Sequence, residues 1–259
     1  MKIVTGWGDQ FIGEKDTYLW HCGPLQLYYK VIYDELWLAY HHSDSEPPEQ
    51  PADETTLKWQ RWSLKKAAAS IKILPTFPDL PVIIKPETAF WMTPGVKTRV
   101  YPRIPLWIKV LLDGEALLET PILQISKTWF GDFLDGEICY WIKSYVRKEI
   151  LPEQHQPFLA VSPIQIANRS DEELLVDKIC HRVDQLSIFE YDNQLWSNET
   201  RIRYRGQNDV SEIDILRKAP PEAVKAKLLT DPRTPVSNSI TAKTFASLKE
   251  LPGLGFLRG

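Results

Sequence analysis

Apolar and polar residues alternate along much of this chain at a period of two, and prolines interrupt the pattern every few positions. In LQLYYKVIY, Leu25, Leu27, Tyr29, Val31 and Tyr33 fall on one face. After a turn at Asp34-Glu35, Leu36, Leu38 and Tyr40 do the same, which predicts a hairpin. From Ile71 onward SIKIL, PVIIK, AFWM, VKTRVYP and PLWIKVLL are separated by Pro and Gly, including a turn at Thr93-Pro94-Gly95. Prolines at 75, 78, 81, 86, 94, 102 and 105 would break helices, whereas strand starts, bulges and sheet edges tolerate them. From Phe158 to Leu216 the runs FLAV, PIQIAN, LLVDKIC, LSIFEY, TRIRYR and SEIDIL follow one another. Their spacing of about 8–12 residues is that of sandwiches and barrels. The chain reads as all-β, built of tandem or packed β-sandwich-like (immunoglobulin-like) units.

Three segments depart from the pattern. Residues 43–56, SDSEPPEQPADETT, carry five acids, three prolines and no large apolar side chain, so burial cannot offset their ordering entropy. They are expected to be a disordered acidic loop. LKWQRWSLKKAAAS (57–70) suits helix by its lysines and alanines and strand by Lys58–Trp62. After Leu216, PPEAVKAKLL has Pro at a helix start, and TAKTFASLKEL has Thr241 as an N-cap, with Pro252-Gly253 to end it. The resulting division is an N-terminal β-rich domain over 1–150, a second sandwich-like unit over 151–216 and a short helical C-terminal tail over 217–259.

A net charge of −3 disfavours partners that need a basic surface, so nucleic acid is not expected. KWQRW interleaves cations and aromatics as single-strand binders do, yet Arg and Lys stems lying over Trp faces account for it equally. The first residues lack an apolar signal core, and no run is long enough to span a bilayer. Cys22, Cys139 and Cys180 are odd in number and widely spaced, which fits reduced thiols in a cytoplasmic protein. Neither the cysteines nor the pairs His21-Cys22, His41-His42 and Cys180-His181 have zinc-ligand spacing, so no metal and no cofactor are expected. The chain has no G-x-S-x-G elbow, phosphate loop or dinucleotide-binding glycine run, and no nucleophile is paired with a base by sequence order. Asn168 and Asn198 match the glycosylation pattern, which without an export signal carries no weight.

Two constellations remain. Arg201, Arg203 and Arg205 share a strand face and could grip anions. If GQND (206–209) closes a hairpin, Arg203 falls opposite Glu212 and Arg201 opposite Asp214, an ordinary cross-strand charge ladder. The second is KTWFGDFLDGEICYWIK (127–143). EICYWIK reads as a strand with Ile138, Tyr140 and Ile142 inward and Cys139 and Trp141 on the other face. TWFGDFLDGE reads as its connection, with Gly131 and Gly136 available for positive φ. Its candidate binding residues are Trp129, Phe130, Asp132, Asp135 and Glu137. The aspartate spacing is not that of an EF-hand, and no residue is assigned a catalytic role.

PVIIKPETAFWMTPGVKTRVYPRIPLWIKV, KTWFGDFLDGEICYW and PIQIANRSDEELLVDKI together resemble an uncharacterised archaeal and bacterial family, domain of unknown function 432. Thr128–Gly131 and Gly136–Tyr140 carry the resemblance most specifically, over a block of approximately 59–216 together with the N-terminal hairpin. The acidic loop and the tail look peculiar to this chain. The resemblance implies no activity. What it implies about partners is a membrane protein, because members sit near genes for small mechanosensitive channels. The leading reading is a non-enzymatic cytosolic interaction or ligand-binding module with a protein partner or small ligand, its aromatic excess supplying interface anchors. The alternatives are a carbohydrate-active or hydrolytic protein using acids beside Trp129, and an assembly protein joining copies through a sheet edge or the tail. Oligomeric state is left open.

Overall fold

A computed structural model describes residues 1–13, 16–44, 50–64, 70–134, 136–150, 155–206, 210–236 and 240–246. The chain forms two compact units, both discontinuous in sequence. One comprises Met1–Thr76, Pro105–Gln124 and Gln156–Phe158; the other comprises Phe77–Ile104, Ile125–His155 and Leu159–Gly259. Among the described residues no helix is long and apolar enough to cross a membrane.

Among the described residues the first unit holds two sheets. One runs in the order Lys2–Val4, Tyr18–Cys22, Leu25–Ile32, Glu35–His42, Gln60–Ser63. The other runs Glu115–Pro121, Trp107–Leu112, Ser70–Thr76, Gly8–Phe11. The expected hairpin is present, with Ile32 paired to Glu35. Its turn falls one residue early, on Tyr33 and Asp34, and Tyr33 takes a positive φ of 56°. Tyr33 is therefore exposed rather than part of the inward face. Leu25, Leu27, Leu36 and Leu38 are wholly buried, as alternation demands; each contributes up to about 1.5–3 kcal/mol. KWQRW enters a strand, where Arg61 lies 4.5 Å from the Trp37 ring centroid and Lys30 lies 4.2 Å from that of Trp59. Cations over indoles are thus the observed use of this motif.

The acidic loop needs correction. Residues 45–49 lie outside the described residues, but 50–56 are placed and bonded. The Gln26 amide donates to the Gln50 carbonyl at 2.9 Å, and the Ala52 N–H donates to the Tyr28 hydroxyl at 2.6 Å. Ala52 also packs on the Leu19–Tyr28–Ala39 cluster. Composition understates order here because buried polar side chains elsewhere in the sheet need these backbone partners.

Among the described residues the second unit holds three five-stranded sheets and a two-stranded ribbon. The first sheet runs Ser126–Phe130, Glu137–Val146, Val82–Pro86, Lys178–His181, Phe245–Ala246. The second runs Lys97–Val100, Ile164–Asn168, Thr200–Tyr204, Val210–Ile215, Ile240–Lys243. The third runs Arg103–Pro105, Leu159–Val161, Gln194–Ser197, Ile188–Tyr191, Lys227–Thr230. Phe90–Met92 and Leu174–Val176 form the ribbon. Each large sheet of this unit contains a parallel neighbour pair, as does one sheet of the first unit. The all-β class holds, whereas the antiparallel immunoglobulin-like pattern is not reproduced.

The helical tail is the main correction. Pro221–Ala223 makes a single 3₁₀ turn, and Lys227–Thr230 and Ile240–Lys243 are strands. A helix of ten residues is marginal alone. Here Ala223 is drawn into a cluster with Val161, Phe189 and Trp196, while open edges at Ile188–Tyr191 and Val210–Ile215 supply hydrogen bonds. Phe245 is buried and packs edge-on to Tyr204, so it docks on the unit's own body. Residues 247–259, with the expected Pro252-Gly253 stop, lie outside the described residues.

Candidate functional site

Ser126–Phe130 and Glu137–Val146 pair antiparallel, with Trp129 opposite Ile138, Thr128 opposite Cys139 and Phe130 opposite Glu137. Alternation sends Phe130 and Cys139 to one face, where they join Ile83 and Cys180 in a buried cluster. Trp129 and Ile138 take the other face at the end of the sheet and stay about half exposed, at 51% and 52%. Ile138 therefore does not point inward as alternation suggested, because the cover that buries Tyr140 and Ile142 stops short of it. Cys139, expected opposite the core, is fully buried because this strand is covered on both faces there. The Tyr140 phenol donates to Asp79 at 2.9 Å. Burial and then that carboxylate push its pKa up to about 12.

The turn is held by its own side chains. The Trp129 indole N–H donates to the Asp132 carbonyl at 2.9 Å, and Asp132 Oδ1 accepts the Leu134 N–H at 3.0 Å. Gly131 uses positive φ, at 101°. Gly136 serves differently: a Cβ there would overlap the Trp129 indole and lie 2.5 Å from the Asp132 carbonyl. Trp129 thus lies across its own turn. Beyond it, Phe133 and Leu134 are 90% and 87% exposed.

The candidate acids separate. Asp132 pairs with Lys243 at 2.7 Å. Glu137 receives Arg182 through two contacts, at 2.9 and 2.5 Å. Asp135 lies outside the described residues. Both described carboxylates are already matched to a cation, each to a different one, an arrangement suited to holding strands and turn in place. Near the Glu137 end the Cys139 and Cys180 thiols lie 3.8 Å apart. The neighbouring thiol and burial push Cys180 well above the usual thiol range, so it remains a protonated packing group.

Other polar groups come together where sequence order had not paired them. Ser162 Oγ lies 2.7 Å from His181 Nε2, and Ser197 Oγ lies 2.7 Å from Ser162 Oγ. This is a nucleophile–base distance, but all three residues are buried to 1% exposure or less. Burial drives the His181 pKa down to about 3, leaving a neutral imidazole in a closed network. The arginine ladder has the expected register, Arg201 opposite Asp214 and Arg203 opposite Glu212. Arg203 reaches both acids, and Arg205 reaches Glu212 at 2.8 Å. Arg201 turns instead to the buried Glu199 at 2.6 Å, which also holds Arg99 at 2.7 Å. Asn168 and Asn198 are fully buried, so neither side chain can carry a glycan in the folded chain.

The model of a family of proteins of unknown function, DUF432, matches residues 6–249. The chain belongs to this family. The match extends into the tail as far as residue 249, beyond the block of approximately 59–216 on which the resemblance rested. No curated protein and no solved structure matches the chain. For this DUF432 protein the residues that sequence reasoning missed are Phe133, Leu134, Arg182 and Lys243. The first two had a signal: four residues between Gly131 and Gly136 cannot reach a core. Arg182 and Lys243 had none, because they lie 45 and 111 positions from their partners.

Proposed function

We propose that this protein is a non-enzymatic interaction module of the cytoplasm whose contact element is the 126–146 hairpin. The observation that carries this reading is the turn, where Phe133 and Leu134 are 90% and 87% exposed beside half-exposed Trp129 and Ile138. Among the described residues the Phe133 and Leu134 side chains are left almost wholly uncovered, and covering each stabilises a complex by up to about 1.5–3 kcal/mol. Aromatic anchors of this kind dominate interface energetics. The net charge of −3 and the flanking acids favour a protein over an anionic bilayer. The family resemblance favours a membrane protein as that partner. The hydrolytic alternative is less well supported, since both described acids are in ion pairs and the indole N–H of Trp129 is used within the turn.

A photo-crosslinking amino acid at position 133, introduced into the chain in cells, tests the reading. One discrete adduct is expected, and Leu134→Asp should abolish it while leaving the melting temperature unchanged. A smear of products, an adduct indifferent to Leu134→Asp, or turnover of a carbohydrate or ester lost with Asp132→Asn would defeat it.

A further inference from the structure

We infer that the first unit carries a separate binding site, an aromatic-walled cleft that takes an uncharged, flat, largely apolar small molecule. The cleft measures about 370 Å³. It opens where Thr5–Trp7 leads from the edge strand of one sheet, Lys2–Val4, to the edge strand of the other, Gly8–Phe11. The remaining wall comes from the end of Tyr18–Cys22, from Gly23 and from Gln156–Phe158. Edge strands end here, and the two sheets leave a space that side chains do not fill.

The walls are fixed before any ligand arrives. The Trp20 indole N–H donates to the Gly6 carbonyl at 2.8 Å, and the Gln10 amide donates to the same carbonyl at 3.2 Å. Those bonds pin Gly6 at a φ of 86°, which a side chain would disfavour. Trp7 then stands with its ring centroid 5.1 Å from that of Trp20 and its plane tilted by 55°, forming two sides of an angle. Opposite, Phe158 lies against Gly23; a Cβ at that glycine would come within 2.7 Å of the ring. The Phe158 carbonyl accepts the Leu106 N–H at 3.0 Å, which ties this wall to the unit's core.

The lining residues identify the ligand class. None of the ten is Asp, Glu, Lys or Arg; Thr5, His21 and Gln156 supply the polar side chains. A charged group entering would lose hydration and meet no counter-ion. Trp7, half-buried, instead offers a flat apolar face next to Pro157, backed by the buried rings of Trp20 and Phe158, and this suits a planar molecule. An apolar lining with a few polar groups, at this size, is the pattern of small-molecule sites. This site is independent of the hairpin, and either can be wrong without the other.

The probe is N-phenyl-1-naphthylamine, an uncharged dye that brightens in apolar sites, titrated onto the full chain. Its sulfonated relative, 8-anilinonaphthalene-1-sulfonate, provides the charged comparison. Saturable binding at one dye per chain is expected, at least about tenfold tighter for the uncharged dye, which corresponds to about 1.4 kcal/mol. Trp7→Ala should weaken it by about tenfold or more on the same scale. Thr5→Trp, which fills the mouth from an exposed position, should abolish binding with the fold intact, and so covers the case where Trp7→Ala fails to fold. Phe133→Ser should leave binding unchanged. Equal affinity for both dyes, binding that survives Thr5→Trp, or binding lost with Phe133→Ser would each overturn the inference.

Discussion

Replacing Glu137 by Gln asks whether this carboxylate is a structural counter-ion. Its partner Arg182 contacts it at 2.9 and 2.5 Å. The side chains are 16% exposed for the arginine and 34% for the glutamate. Fully exposed pairs contribute about 0.2–1 kcal/mol. Removing one member of a fully buried pair costs about 3–5 kcal/mol. This pair lies between those limits, and the member left behind is the more buried one. Gln keeps an acceptor but not the charge, so the guanidinium stays in place with a weaker bond and no counter-ion. The expected cost is about 2 kcal/mol. For a chain of this size that lowers the melting temperature by about 4–8 °C. Calorimetry at low salt and at about 1 M salt is the assay, and most of the loss should persist in salt because the arginine is shielded from it. Adding Arg182→Met should recover part of the loss, since the uncompensated cation is then gone. A Glu137→Gln protein melting within about 1 °C of the parent would refute the structural role and return Glu137 to the list of candidate reactive groups.

Three further outcomes follow from the same packing. Gly136→Ala should displace the Trp129 indole and break its bond to the Asp132 carbonyl, seen as a shift in tryptophan emission and a lower melting temperature; an unchanged spectrum would contradict the tight turn. All three cysteines are buried, so an aromatic disulfide reagent should label none of them within minutes in the native chain and all three in denaturant; rapid native labelling of Cys139 or Cys180 would contradict the closed cluster. His181 is depressed from 6.5 to about 3, so the unfolded chain binds the extra proton between those values. Stability from this residue is then full above pH 6.5 and falls as the pH drops toward 3, by up to a few kcal/mol. His181→Gln should flatten that part of the pH dependence in urea titrations, and an equal slope in both proteins would show that the imidazole is not desolvated.

What could be read from sequence was whatever repeats locally. Alternation in LQLYYKVIY and LWLAY needs only two faces and one buried side, so it specified the hairpin and its inward leucines without any partner in view. Thr93-Pro94-Gly95 specified a turn because Gly95 tolerates the φ of 79° that the turn requires. The arginine register followed from counting back from a turn. The candidate site was half legible: a connection bounded by Gly131 and Gly136 marked Trp129 as conspicuous.

Tertiary structure decided the rest. PPEAVKAKLL and TAKTFASLKEL carry local helix signals, yet Lys227–Thr230 and Ile240–Lys243, which overlap them, are strands, because a sheet edge supplies hydrogen bonds that a short solvated helix cannot match. Glu137 resembled a candidate reactive acid until Arg182, brought to it from just past the end of Lys178–His181, neutralised it. The aromatic cleft gathers Trp7, Trp20 and Phe158 from segments far apart in the chain. Periodicity records which side of a strand is dry. Which strand lies beside it, and so which charge meets which, depends on long-range pairing that no local pattern encodes.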